Sequence, residues 1–137
     1  MDTGHWLISE NVSVHEDMFG FIYKITNKVN GKKYIGKKQC SRRVRRKPLK
    51  GKTRNRIDHK ESDWKTYTSS SNELNEDIQK HGKENFEFRI LKICGSKWEL
   101  AYQEAKLQFE NNVLLNDNFY NGVINLRIGR PPNKLKV

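Results

Sequence analysis

Tyr23 and Tyr34 stand on either side of an Asn30-Gly31 dipeptide, within two short runs, FGFIYKIT and KKYIG. A dense arginine cluster follows, with Arg42, Arg43, Arg45 and Arg46 inside five residues. Far downstream, Glu104 falls inside the apolar arc of a predicted helix. Phosphodiester cleavage asks for parts of this kind. It needs a base or positioner for the nucleophile, cationic charge near the non-bridging oxygens, and a route for protonating the leaving group. Phenols, guanidiniums and a carboxylate able to hold a cation supply them. An unperturbed tyrosine has a pKa near 10, so a phenol could serve as base at neutral pH only if arginines or a metal lowered it.

The chain's charge points the same way. Its 137 residues suggest one domain, and 27 Lys+Arg against 16 Asp+Glu give a net charge of +11. Such an excess attracts polyanions through release of condensed counterions. Nucleic acid is the first expectation and an acidic membrane surface the second. No apolar run approaches the roughly 20 residues that a membrane span needs. The segment MDTGHWLISENVSVHEDM has no basic start leading into an apolar core, so no signal peptide is expected. Cys40 and Cys94 give neither zinc spacing nor a disulfide framework, which fits a reducing cytoplasm, that of a host cell if the gene is carried by a phage.

The elements that must position these groups follow from periodicity. Residues 1–18 read as a polar extension or edge segment. Phe19, Phe21, Tyr23 and Ile25 alternate as on a strand. A two-residue Asn-Gly turn would place positions summing to 61 opposite each other, so Tyr23 faces Lys38 and Tyr34 shares its face. The block RRVRRKPLKGKTRNR, residues 42–56, reads as a short helix capped by Ser41 that runs into a long loop. Ser70 and Glu73 have capping-box spacing for a helix over 70–82, stopped at Gly82. FEFRILKIC, residues 86–94, reads as a strand with Phe86, Phe88, Ile90, Lys92 and Cys94 on one face. Ser96 and Glu99 open a last helix to about Asn112. Its wheel gives a stripe of Trp98, Ala101, Tyr102, Ala105 and Phe109, widened by Leu100 and Leu107, and a solvated face of Glu99, Gln103, Lys106 and Glu110. Glu104 is out of place on that wheel. Residues 119–125 read as a last strand or extended segment, and 126–137 as a basic tail.

Phe21-Ile22-Tyr23, preceded by Gly20, and Tyr34-Ile35-Gly36 resemble the paired signatures of the GIY-YIG nuclease family, with Phe standing where the family has the first Gly. The resemblance runs through residues 19–125, with a basic insertion at about 45–60. It implies an α+β fold, a small three-stranded, mainly antiparallel sheet flanked by helices. It also implies one-metal hydrolysis of double-stranded DNA with Mg²⁺, Mn²⁺ being able to substitute. Tyr23 would be base or water positioner, Tyr34 its support, Glu104 the metal ligand, and Asn121 would sit at the rim. The family's arginine lies early in the helix after YIG. Counting lands on Val44, and a Ser41 cap shifts the register to Arg45, with Arg43 as the alternative. A histidine or tyrosine that many members carry is either absent or supplied by Tyr67 or His59.

Lys37, Lys38, Arg42, Arg46, Lys50, Lys52, Arg54, Arg56 and Arg130 are expected to contact DNA. Gly129-Arg130-Pro131 resembles the core of an AT-hook, although a basic tail adding nonspecific affinity explains it more simply. Trp64 and Trp98 are expected in the core, and His5 and His15 in solvent. The compact form resembles freestanding phage homing endonucleases. Restriction or repair nucleases on the same scaffold, and an inactive DNA-binding module, are the alternatives, and monomer and homodimer both remain open.

Overall fold

The computed structural model describes residues 2–125 and 127–132; the side chains at 42–46 and 56–59 lie outside that description. Strand β1 (Leu7–Ile8) is followed by β2 (Gly20–Asn27), β3 (Lys33–Gln39), β4 (Ser41–Arg46) and β5 (Arg56–Glu61). Helix α1 (Asn72–His81), strand β6 (Phe86–Cys94) and helix α2 (Lys97–Glu110) complete the order. The main sheet runs β1-β6-β2-β3, and β4 and β5 form a separate two-stranded ribbon. The fold is therefore α+β, with one strand more than expected. The extra strand comes from the N-terminal segment, where Leu7 and Ile8 pair in parallel with Arg89 and Ile90. Two residues are too few to show alternation, and their partner lies far away in sequence.

The β2–β3 hairpin closes in a different register. Tyr23 faces Gly36, and Phe21 faces Lys38. Asn27 stretches the turn: its Oδ1 accepts from Val29 N, and its carbonyl accepts from Gly31 N. The pairing moves by two positions, so every side chain keeps its face. Tyr23 and Tyr34 remain on one side.

Burial holds this sheet from both sides. On one face Trp6, Met18, Phe21, Tyr23, Ile25, Trp64, Leu74, Phe86, Phe88 and Ile90 form a core roofed by the N-terminal segment, Trp64 and α1. On the other, Ile22, Ile35, Cys94, Leu100 and Val113 form a second core beneath α2. Each fully buried large apolar side chain contributes about 1.5–3 kcal/mol. The N-terminal segment thus belongs to the core through Trp6, whose Nε1 donates to Trp64 O. Phe21 lies edge-on to Trp6 and Trp64, which accounts for a Phe at this position.

Strand β6 departs from simple alternation. Tyr23 pairs with Ile90 but Ile22 pairs with Lys92, leaving Leu91 as a bulge. Beyond it the faces exchange. Ile93 packs on the first core, and Cys94 lies in the second, away from Phe86, Phe88 and Ile90. Both cysteines are free and buried, one in each core.

The basic block is not a helix. Ser41 opens a strand, and β4 pairs antiparallel with β5 from Ser41↔Glu61 to Arg46↔Arg56. The N-cap of α1 is Ser71, which accepts from Leu74 N, rather than Ser70. Ser96 caps α2 as expected. That helix is rotated from its predicted wheel: Leu100, Gln103, Ala105 and Gln108 are buried, while Phe109 is 51% exposed. Trp98 lies outside the core, half-buried with Nε1 donating to Gly129 O. His5 does not face solvent but stacks on Phe88 at 4.0 Å.

Candidate active site

The tyrosines meet at the outer strand of the sheet. Tyr23 is 1% exposed, and its ring stacks on Tyr34 with centroids 6.1 Å apart. Tyr67 meets the Tyr23 ring edge-on at 6.2 Å. Of the two candidates for the auxiliary histidine or tyrosine, Tyr67 therefore joins the cluster; the His59 side chain lies outside the described residues. Lys38 holds Tyr67 in place, with Nζ 4.0 Å from its ring centroid and 2.7 Å from Asp63 Oδ1. Lys38, expected on DNA, thus has local partners within the chain.

Gly36 makes the stack possible. A Cβ there would lie 2.5 Å from the Tyr23 hydroxyl and 2.8 Å from Tyr34 Cε1. The Tyr23 phenol crosses β3 over this gap toward the free edge.

Main-chain groups at that edge are capped by side chains. Asn121 Oδ1 accepts from Ile35 N at 3.1 Å, and its Nδ2 donates to Ile35 O at 2.8 Å. Gln108 Nε2 donates to the same carbonyl at 2.9 Å. Leaving such buried groups unpaired costs about 1–3 kcal/mol each. Lys33 extends the seal by bridging to Phe119. Asn121, placed at the rim by resemblance, thus bonds both main-chain groups of Ile35, between Tyr34 and Gly36. Gln108 is a partner that sequence reasoning missed. It follows Glu104 by one helical turn, so the wheel that drew attention to one carried the signal for the other.

Glu104 faces inward from α2, its side chain 15% exposed and 3.9 Å from Lys37 Nζ. Burial raises its pKa, and Lys37 only partly opposes that. Burial also raises Tyr23 well above the ordinary phenol value, with Tyr34, Tyr67 and Glu104 adding to the effect. For Tyr34 burial again leads, a hydrogen bond from Ser70 works against it, and Glu104 and Tyr67 add to it. Both phenols are therefore protonated at neutral pH in this state. They can donate hydrogen bonds to a phosphate or orient water; ionising either requires added positive charge.

Among the described residues no group of three or more His, Cys, Asp or Glu could enclose a metal. One desolvated carboxylate nevertheless suits Mg²⁺, which keeps most of its waters and binds through one or two carboxylates together with substrate phosphate. Beside Tyr34 a cleft of about 190 Å³ is lined by Ser70, Ser71, Tyr120 and Asn121. A larger one of about 700 Å³ lies near the ribbon's base, where Asp2, Glu16, Asp17 and Glu61 outnumber Lys60 and Lys65, a net negative lining that disfavours phosphate.

Residues 6–124 match the family described as "Putative endonuclease segE, GIY-YIG domain". The chain belongs to the GIY-YIG family. No curated protein and no solved structure matches. As a GIY-YIG domain the chain carries a nuclease scaffold, and its matched region begins at Trp6, inside the segment expected to be an extension.

The remaining predicted residues are dispersed. Lys50, Lys52 and Arg54 are exposed in the loop between β4 and β5, and Arg130 is exposed near the C-terminus. The side chains of Arg42, Arg43, Arg45, Arg46 and Arg56 lie outside the described residues. The helical register that favoured Arg45 over Arg43 does not hold, because β4 is a strand whose backbone sets Arg43 across from His59 and Arg45 across from Ile57.

Proposed function

We propose that this GIY-YIG domain is a Mg²⁺-dependent endonuclease that hydrolyses phosphodiester bonds of double-stranded DNA, in the manner of a phage homing endonuclease. The observation that carries the reading is the meeting of Tyr23, Tyr34 and Tyr67 at one strand edge with the inward-facing Glu104.

Glu104 would hold the cation, with Mn²⁺ able to substitute. Bound there, the cation would polarise the scissile phosphate and ease departure of the 3′ oxygen. The chain's own residues orient the reaction. Tyr23, protonated by burial, positions the attacking water and passes a proton only once cationic charge has lowered its pKa. Tyr34 donates to a non-bridging oxygen. Arg45 or Arg43 on β4 supplies positive charge for the developing phosphorane. Water attacks phosphorus, the P–O3′ bond breaks, and the released 3′ oxygen takes up a proton. Gln108 and Asn121 keep the strand fixed, which matters because a misplacement of about 1 Å can cost a hundredfold in rate.

Incubating supercoiled plasmid with the purified chain tests this. Nicked or linear product in Mg²⁺ or Mn²⁺, and none in EDTA, is expected. No cleavage in either metal, across varied substrates, would leave a DNA-binding module. Mapping the cuts on phage and host DNA separates homing from restriction: long degenerate sites favour the former, strict short palindromes the latter.

A further inference from the structure

We infer that the β4–β5 ribbon is a groove-reading arm, which enters the major groove of duplex DNA while the tyrosine cluster holds the backbone beside it. The inference rests on the endonuclease reading. Residues 41–61 hold ten Lys and Arg against two Asp and Glu, so this excursion carries +8 of the chain's +11.

Hydrophobic burial does not explain the ribbon. Val44 and Ile57 are the apolar residues of its two strands. The register sets Val44 across from Asp58 and Ile57 across from Arg45, at positions of opposite parity, so neither face has an apolar pattern. Every residue from Leu49 to Asn55 at the tip is exposed. A lone two-stranded ribbon is marginally stable in water. What the chain gains from one is reach, since six residues of strand span about 20 Å. The major groove is about 12 Å wide and admits such a ribbon; the minor groove, about 6 Å wide, does not do so undistorted.

The base of the ribbon is fixed where the tip is not covered. Ser62 N donates to Cys40 O at 2.9 Å, Cys40 N to Phe19 O at 2.8 Å, and Ser62 Oγ to Gln39 O at 2.6 Å. The chain enters directly from β3, which carries Tyr34 and Gly36, and leaves through buried Trp64 to Tyr67. Both ends are thus wired to the tyrosine cluster. A groove contact made by the ribbon sets the register of the phosphate at that cluster. The basic side chains supply sequence-independent attraction as well, and their position on a ribbon gives it an address on the duplex.

The test measures binding by the full chain in EDTA, where no cleavage intervenes, to a labelled mixed-sequence duplex several helical turns long. One variant replaces residues 44–58 with Asn-Gly, preserving the Ser41–Arg43 and His59–Glu61 pairing. A second, Lys50→Gln/Lys52→Gln/Arg54→Gln, changes only exposed side chains and keeps the test decisive if the first fails to fold. The shortened ribbon should bind about a hundredfold more weakly at moderate salt, and the triple variant should flatten the log-log salt slope by about 2–3. Methyl green, a major-groove ligand, should displace the intact chain, whereas netropsin, a minor-groove ligand, should not. Unchanged affinity and slope in the folded variants, or displacement by netropsin but not methyl green, would overturn the inference. A chain that binds this way but never cleaves would sink the endonuclease reading alone; a chain that cleaves but binds equally well with the triple substitution would sink the ribbon alone.

Discussion

In β2, Phe21, Ile22, Tyr23 and Ile25 are each 1% exposed or less, whereas every residue from Leu49 to Asn55 in the ribbon lies open to solvent. The two regions join at Cys40. One belongs to a core made by burial, where polar groups are few and individually placed, among them the Tyr23 phenol and the amides of Asn27, Gln108 and Asn121. The other is open to solvent at its tip and is written in charge. The contrast separates the tasks a nuclease must perform. Chemistry needs groups held within fractions of an ångström, which dense packing supplies. Capture of a phosphate backbone needs long-range attraction and tolerates motion.

Mutations should respect that division. Trp64→Ala, in the core, should cost about 3–5 kcal/mol in urea unfolding. Leu49→Ala in the ribbon should stay within about 0.5 kcal/mol. Equal costs would erase the contrast. Gly36→Ala should lower kcat/KM by about a hundredfold, because its Cβ would meet the Tyr23 hydroxyl, while the salt dependence of DNA binding stays as in the parent chain. Near-normal turnover would mean that the Tyr23–Gly36 crossing does not set the site's geometry.

A smaller effect concerns pH. His5 is stacked on Phe88, and burial, followed by the charge of Lys83, lowers its pKa from 6.5 to about 4. A depressed folded-state pKa means that the unfolded chain takes the proton first. The stability contributed by neutral His5 is present above pH 6.5 and is lost as the pH falls toward 4. His5→Phe should therefore flatten the decline in Tm between pH 7 and 4.5, and an unaltered slope would mean that His5 does not carry this pH dependence.

Periodicity made the buried region legible. The hairpin, α1, β6 and α2 all follow from alternation or helical spacing, and Glu104 stands out because it is a carboxylate inside an apolar arc, which an ion pair alone could also explain. The failures share a cause. RRVRR carries no apolar rhythm, so a capping serine before it suggested a helix, and the antiparallel partner at Arg56–Glu61 could not be seen locally. The bulge at Leu91 breaks a pattern that reads as continuous on paper. The rotation of α2 buries Gln103 and Gln108, the latter donating to Ile35 O, and hydrophobicity alone does not register such polar burial. Tyr67 is one of two candidates in the sequence, and only the fold brings it to the tyrosine pair, since the whole ribbon separates it from Tyr34.

If Tyr23 and Glu104 are chemical rather than structural, replacing them should spare the fold and stop the reaction. Glu104→Gln removes a carboxylate whose charged form burial disfavours, so at neutral pH it should leave Tm unchanged or raise it. Tyr23→Phe removes one hydroxyl and keeps the ring in the core. Plasmid cleavage in Mg²⁺, read beside duplex binding in EDTA, is the direct test. Loss of cleavage by both variants with binding retained is the predicted result; full cleavage by either one would contradict the site.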